Sequence, residues 1–321
     1  MKKEEACLLF KITYRCNDEC PFCIAYEQRR DHLPDLSFEN VIKNYEFFSK
    51  KFNISRIVFT GGEPTLHPEF VNILKYFKEQ KSIIVNFVTN AINFGNKEFL
   101  EKISPLFLDE PKNKNNYLVF SANDYPLKDP KRNSIIKKRI NGIINLMQSK
   151  LPLECIITIS KDNSAFSHEI VKFLVDMKNK YDSNLRRVEF KMLYIEFTPN
   201  YLLNNTLPDS FGEIKLSLEK AIECLRHNGI HYYFWNLPLC YLSSPIDHKN
   251  ILAEERIEKK MVMPEILIDA EHQYESFISI NFQKYLKCHS ECDKCSLKNC
   301  CGGIDPAYLK LPNFPELKNI D

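Results

Sequence analysis

The chain has 321 residues, 44% hydrophobic and 27% charged, the balance of an ordinary globular protein with one large domain and room for a smaller one. Its formal charge of +2 is shared among 44 basic and 42 acidic residues, so the basic stripe of a nucleic-acid binder is missing and no nucleic acid is expected as a partner. No apolar run reaches the roughly 20 residues of a membrane helix, and the stretch from Ala6 to Phe10 ends at Lys11, too short for a signal-peptide core; a cytoplasmic protein is expected.

In chain order, strands are predicted at Leu8–Tyr14, Arg56–Phe59, Ile83–Thr89, Tyr117–Ser121, Leu153–Ser160 and Val188–Ile195. They are rich in Val, Ile and Phe and near-continuously apolar, the pattern of strands buried on both faces of a parallel sheet. Helical stretches lie between them. Phe38, Val41, Ile42, Tyr45 and Phe48 share one helical face, as do Phe70, Ile73, Leu74 and Phe77. Further helices are expected near Lys97–Ile103, Ser134–Met147, Phe166–Lys180 and Ile214–His227, the last stopped by Gly229. Tyr232, Tyr233, Phe234 and Trp235 are placed on the last strand.

Six strand-then-helix units imply a right-handed parallel α/β sheet, a partial (β/α)6 barrel. A flat doubly wound sheet gives the same alternation. After Trp235 the pattern changes: Pro238, Pro245 and Pro264 interrupt it, a charged helix is expected near Ala253–Lys260, and a cysteine-rich tail follows. Two domains are expected, residues 1–235 and 236–321.

Twelve cysteines need an explanation where thiols are kept reduced. Cys16, Cys20 and Cys23 form one cluster; Cys288, Cys292, Cys295, Cys300 and Cys301 form another; Cys7, Cys155 and Cys224 fall on apolar patterns and read as core. Such tight spacing points to metal or iron–sulfur sites rather than disulfides. The first cluster follows directly on the first strand, at the strand end where (β/α) barrels keep their active sites. Iron–sulfur clusters normally take four thiolates; a local set of three leaves one iron open. Zinc with a fourth ligand from His32 or His67 fits the same spacing.

Cys16-x3-Cys20-x2-Cys23, with Phe22 before the third cysteine, resembles the signature of the radical S-adenosylmethionine (SAM) superfamily. The resemblance implies a [4Fe–4S] cluster on these cysteines whose fourth iron binds SAM. Reduction then cleaves SAM to methionine and a 5′-deoxyadenosyl radical that takes hydrogen from a substrate. Gly61-Gly62-Glu63-Pro64, after the second strand, matches the family segment that bonds the methionyl ammonium. Two of the chain's 8 glycines stand together here, in a chain well below the usual ~7%. Thr89-Asn90 resembles the family's Thr-Asn-Gly, with Ala91 in place of the glycine. Ser121 matches the serine of a Ser-Leu-Asp-Gly segment, and Thr158 and Ser160 end the fifth strand where further SAM contacts fall. No catalytic acid, base or radical relay is assigned.

Cys292-x2-Cys295-x5-Cys301 resembles the C-terminal extensions that carry an auxiliary cluster in twitch, SPASM and molybdopterin-precursor cyclase proteins. The expectation is one auxiliary [4Fe–4S] cluster on Cys240, Cys292, Cys295 and Cys301, with Cys288 and Cys300 as alternates and zinc as the rival metal. The implied partners are a flavodoxin or ferredoxin-type electron donor and a peptide or small-molecule substrate. The polar stretches Asn123–Asn133 and Glu196–Ser210 are expected at the active-site mouth. A zinc-binding structural or regulatory protein is the non-enzymatic alternative, and a family member that has lost turnover a third.

Overall fold

The computed structural model describes residues 3–80, 83–108, 116–123, 133–193, 206–242, 265–274, 278–280, 290–295, 301, 303–311 and 313–315. The elements in order are β1 (Glu5–Thr13), α1 (Tyr26–Arg30), α2 (Phe38–Lys51), β2 (Asn53–Gly61), α3 (Phe70–Lys78), β3 (Ile84–Thr89), α4 (Lys97–Ile103), α5 (Pro105–Leu108) and β4 (Tyr117–Ser121). They continue with α6 (Asn133–Gln148), β5 (Leu153–Ile159), α7 (Ser167–Tyr181), β6 (Leu185–Met192), α8 (Phe211–His227), β7 (His231–Trp235), β8 (Glu265–Ile268) and β9 (Ile278–Ile280). All six predicted strands and the predicted helices up to His227 are present. The helix expected near 253–260 lies outside the described residues, as do most of the two polar stretches expected at the mouth.

The strands form one sheet in the order β7-β6-β5-β4-β3-β2-β1-β8-β9. Every pairing is parallel except the antiparallel β8–β9. Strand follows helix and lies beside the previous strand, as right-handed crossovers require. The sheet does not stop at β1. Strands β8 and β9, drawn from the region assigned to a second domain, extend it on the far side of β1, with Leu8 opposite Ile266.

Charge shows that the sheet curls. Burial lowers the affinity of the Lys191 ammonium for its proton, and Glu189 and Glu265 oppose that shift. Lys191 lies on β6 and Glu265 on β8, six strand positions apart; a flat sheet would separate them by ~29 Å at ~4.8 Å per strand. Such an approach needs a strongly curved sheet, open with β7 and β9 at its two edges, which fits the partial barrel and not the flat alternative.

The two faces of the sheet differ. The helix-covered face is apolar: Phe10, Phe59, Phe87, Phe120, Cys155, Ile157, Val188 and Phe190 are all fully buried, and Phe59 meets Phe77 of α3 at a centroid distance of 5.7 Å. The other face is ionic. Arg187 lies 4.0 Å from Glu154 and 5.1 Å above the Tyr233 ring, while the Tyr233 hydroxyl donates to Glu189. The strands are buried on both faces as expected, but their apolar run is broken on the inner, concave side by the alternate residues Glu154, Arg187, Glu189 and Lys191. Cys7 and Cys155 are buried as expected, and Cys224 is partly buried.

Asp269 fastens β8 to β1. The Tyr14 hydroxyl donates to Asp269 Oδ2 at 2.6 Å, and His272 N and Nδ1 approach Oδ1 at 2.8 and 2.9 Å. Burial alone would push the Asp269 carboxyl up, but the bonds from Tyr14, His272 and Glu271 outweigh it and hold it below the usual range. A depressed folded pKa contributes stability that is present above the ordinary carboxylate range and lost as pH falls through it. Asp269→Asn is expected to cost about 1–2 kcal/mol at neutral pH, the gap from the unsubstituted protein closing in acid; urea denaturation across pH checks both.

Candidate active site

The site is built on the loops leaving the C-terminal ends of β1, β2 and β3. Two backbone bonds zip the first loop to the second: Gly62 N donates to Thr13 O at 2.7 Å and Glu63 N to Arg15 O at 2.8 Å. The glycines are required by that approach. A Cβ on Gly61, whose φ is +127°, would meet Thr13 O at 2.1 Å, and one on Gly62 would meet Arg15 O at 2.3 Å and Tyr14 O at 2.6 Å. The Gly-Gly pair thus serves a contact inside the chain.

Glu63 is buried and bridges β2 to β3. Its Oε1 accepts from Thr65 N at 3.2 Å, Thr65 Oγ1 at 2.6 Å and Thr89 Oγ1 at 2.8 Å, and its Oε2 accepts from Asn90 N at 2.7 Å. Burial pushes its pKa up and these donors oppose the shift. Both carboxylate oxygens are thereby engaged within the chain, and Pro64 opens the 3-10 turn that follows. Asn90 Nδ2 donates to Asn17 Oδ1 at 2.8 Å and lies 3.8 Å from Cys16 Sγ; Asn17 in turn donates to Asn93 Oδ1 at 3.2 Å. Ala91 holds φ +66°, the left-handed region that explains the family's preference for glycine there.

The three loop cysteines converge. The Arg29 guanidinium, from α1, feels the charge of Cys16, Cys20 and Cys23 together, with Nη1 3.7 Å from Cys23 Sγ. Its Nη2 donates to Asp18 O at 2.7 Å. Burial, followed by an opposing effect of Arg29, leaves the Cys16 thiol pushed up to about 11. Cys16 and Cys20 line a cavity of about 900 Å³ together with Tyr14, Arg29, His32 and Asp35. Among the described residues no three His, Cys, Asp or Glu are gathered tightly enough to hold a single metal ion. Three thiols on one loop are a donor set that would suit an iron–sulfur cluster, which takes thiolate ligands. His67 is no ligand: its Nδ1 accepts from Glu69 N at 3.1 Å, so Nε2–H donates to Leu36 O at 3.0 Å.

Other expected contacts are placed less directly. Phe22 is partly buried beside Cys23. Ser121 ends β4 opposite Ile156. Ser160 is buried at the end of β5, its Oγ without a hydrogen-bond partner among the described residues. Asn163, which sequence reasoning missed, joins the two strand ends, donating to Asn123 O at 3.0 Å and Thr158 O at 2.8 Å. Asp18, Arg29 and Arg139 were missed as well. An acid between the cluster cysteines, and an arginine on the stripe of Ile136 and Ile143 in α6, were the available signals.

In the tail, Cys240 feels Cys301, Cys292 and Cys295, after burial, which together push it up to about 11. Cys301 Sγ accepts from Leu239 N and Gly303 N, each at 3.4 Å. Cys288 and Cys300 lie outside the described residues. Asn236, another residue sequence reasoning missed, anchors this region: Nδ2 donates to Leu193 O at 2.6 Å, and Oδ1 accepts from Asp305 N.

The family Radical SAM superfamily matches residues 10–160, the span from within β1 to the end of β5, with the cysteine loop. The chain carries a radical SAM domain. Cofactors of this superfamily, a [4Fe–4S] cluster and SAM, come with that domain. The chain is 30% identical over 93 residues to the 7,8-dihydro-6-hydroxymethylpterin dimethyltransferase of Methanocaldococcus jannaschii, a match covering 29% of this chain and 18% of that one. It is 26% identical over 228 residues to a GTP 3′,8-cyclase of Listeria monocytogenes, covering 68% of this chain and 64% of that one. The chain thus spans less than two thirds of either curated relative. In fold it resembles Streptococcus suis SuiB bound to precursor peptide SuiA, with TM-score 0.60, 14% identity, and 99% of this chain and 76% of that one covered. It also resembles anSMEcpe with bound AdoMet and Cp18Cys peptide, with TM-score 0.62, 13% identity, and 98% and 92% covered. Among the described residues no helix is long and apolar enough to cross a membrane.

Gly62→Ala is expected to part the two zipped loops and lower cluster affinity about 10- to 100-fold, leaving the far-ultraviolet circular dichroism unchanged. Iron counted after anaerobic reconstitution checks it.

Proposed function

We propose that the protein reductively cleaves SAM and takes a hydrogen atom from a peptide or protein side chain. The placing of Cys16, Cys20 and Cys23 on one loop after β1, with Cys16, Cys20 and Arg29 lining one cavity and Arg29 Nη1 3.7 Å from Cys23 Sγ, carries this reading. When bound, a cluster on these thiols supplies the electron that splits SAM into methionine and the 5′-deoxyadenosyl radical. The chain's own part is to hold the loop. Asn90 and Asn17 fix Cys16 from one side, and Arg29 holds Asp18 O and the Cys23 side from another. Gly61, Gly62, Glu63 and Pro64, with Phe22, Asn90, Ser121 and Ser160, are proposed to border SAM. Cys240, Cys292, Cys295 and Cys301 are proposed to hold one auxiliary [4Fe–4S] cluster, and a flavodoxin or ferredoxin-type protein to deliver the electron.

The peptide reading is supported by folds alike over 98–99% of this chain, SuiB with precursor peptide SuiA and anSMEcpe with Cp18Cys peptide. A nucleotide or small metabolite is the second reading. It is favoured by the likeness to GTP 3′,8-cyclase over 68% of the chain and by the ionic inner face of Glu154, Arg187 and Glu189.

After anaerobic reconstitution, about eight irons per chain are expected for two clusters, falling to about four in a Cys292→Ala, Cys295→Ala variant. With dithionite and SAM, 5′-deoxyadenosine forms and is abolished by Cys16→Ala. Zinc alone, with SAM left intact, would overturn the proposal.

A further inference from the structure

Beneath the cysteine loop lies an ion pair that the family signature does not call for. Asp18, between Cys16 and Cys20, pairs with Arg139 of α6, and the two side chains are 0% and 2% exposed. The guanidinium is shared: the Arg139 Nη2 that bonds Asp18 Oδ2 lies 4.0 Å from Cys20 Sγ. The Cys20 thiol itself donates to the same Asp18 oxygen at 3.0 Å, and Asp18 Oδ1 accepts from Glu19 N at 2.8 Å. Arg139 is held in place by its helix. Asn145 of α6 donates to Phe94 O at 2.9 Å, and Gly142 lies so close to the turn after β3 that a Cβ would meet Ala91 O at 1.8 Å.

A buried pair of this kind contributes little net stability, since desolvation offsets its attraction; its position against a ligand thiol is the informative feature. A metal-bound Cys20 sulfur has no proton to give Asp18. Sulfur and carboxylate would then face each other as two acceptors at the separation of the present bond, and the donor that already reaches both is Arg139 Nη2. Charge and hydrogen bonds at the sulfurs are what set an iron–sulfur potential.

The geometry points to Arg139 as a positioning residue: it bridges the ligating Cys20 sulfur and Asp18, and its buried charge makes the cluster easier to reduce while Asp18 offsets part of that effect. This rests on the reading of Cys16, Cys20 and Cys23 as cluster ligands. The two partners therefore act on the cluster with opposite sign, which a purely structural role cannot imitate.

The test is an electron-paramagnetic-resonance redox titration of the reconstituted full-length chain, following the signal that SAM perturbs, with iron counted in parallel. Arg139→Met is expected to shift the midpoint negative and weaken iron retention about 10- to 100-fold, and Arg139→Lys to recover part of both. Asp18→Asn is expected to shift the midpoint positive. Should Arg139→Met retain too little cluster to titrate, Arg139→Lys and Asp18→Asn still have to move in opposite directions. A wild-type protein with its cluster, and variants whose midpoints do not move or move together, overturns the inference alone. A wild-type protein that takes zinc and no iron overturns the reading of the site and this inference with it.

Discussion

The site depends on one contact, the backbone approach of the loop after β1 to the turn after β2. Thr13 and Arg15 give their carbonyls to the N–H groups of Gly62 and Glu63, and the space between the loops admits no Cβ at either glycine. Because Arg15 is tied on one side and Asn17 is held by Asn90 and Asn93 on the other, Cys16 has little freedom left. Glu63 then carries the constraint onward to β3 through Thr89 and Asn90. Three adjacent strands thus share in placing one thiol, which is how a loop acquires the precision of the scaffold beneath it.

The inner face adds a second constraint. Glu154, Arg187, Glu189, Lys191 and Tyr233 cannot be removed from water singly without large cost. The curl of the sheet brings opposite charges towards one another, Glu154 and Arg187 on neighbouring strands and Glu265 of β8 acting on Lys191 of β6. The apolar face meanwhile supplies the cohesion through its stacked rings, such as Phe10 on Phe59 and Phe190 on Phe234. One face holds the fold together and the other is lined with buried charges.

The tail is joined to this frame by aromatic packing as well as by cysteines. Phe314 meets Phe211 at 4.9 Å and Tyr308 at 5.8 Å, and the Tyr241 hydroxyl donates to Phe211 O. Asn236, buried with φ +54°, turns the chain out of β7 and receives Asp305 N. These contacts gather Cys240 and Cys301 although 60 positions separate them in the sequence, a closeness seen in the bond from Leu239 N to Cys301 Sγ.

Local periodicity and spacing were enough to read the strand and helix alternation, the cysteine triad at the end of β1 and the Gly61-Gly62 turn, because each is written within a few consecutive residues. The sequence also marked Ala91 as a departure, without showing that its backbone is left-handed. What lay beyond it were relations between distant segments: the curvature of the sheet, the return of β8 to pair with β1, the ionic inner face and the Asp18–Arg139 pair beneath Cys20. An alternating strand does not say which of its faces meets helices, and an arginine on an apolar helical stripe does not name its partner. Both are decided by which elements pack together, and desolvation then forces each buried charge to the one neighbour that can satisfy it.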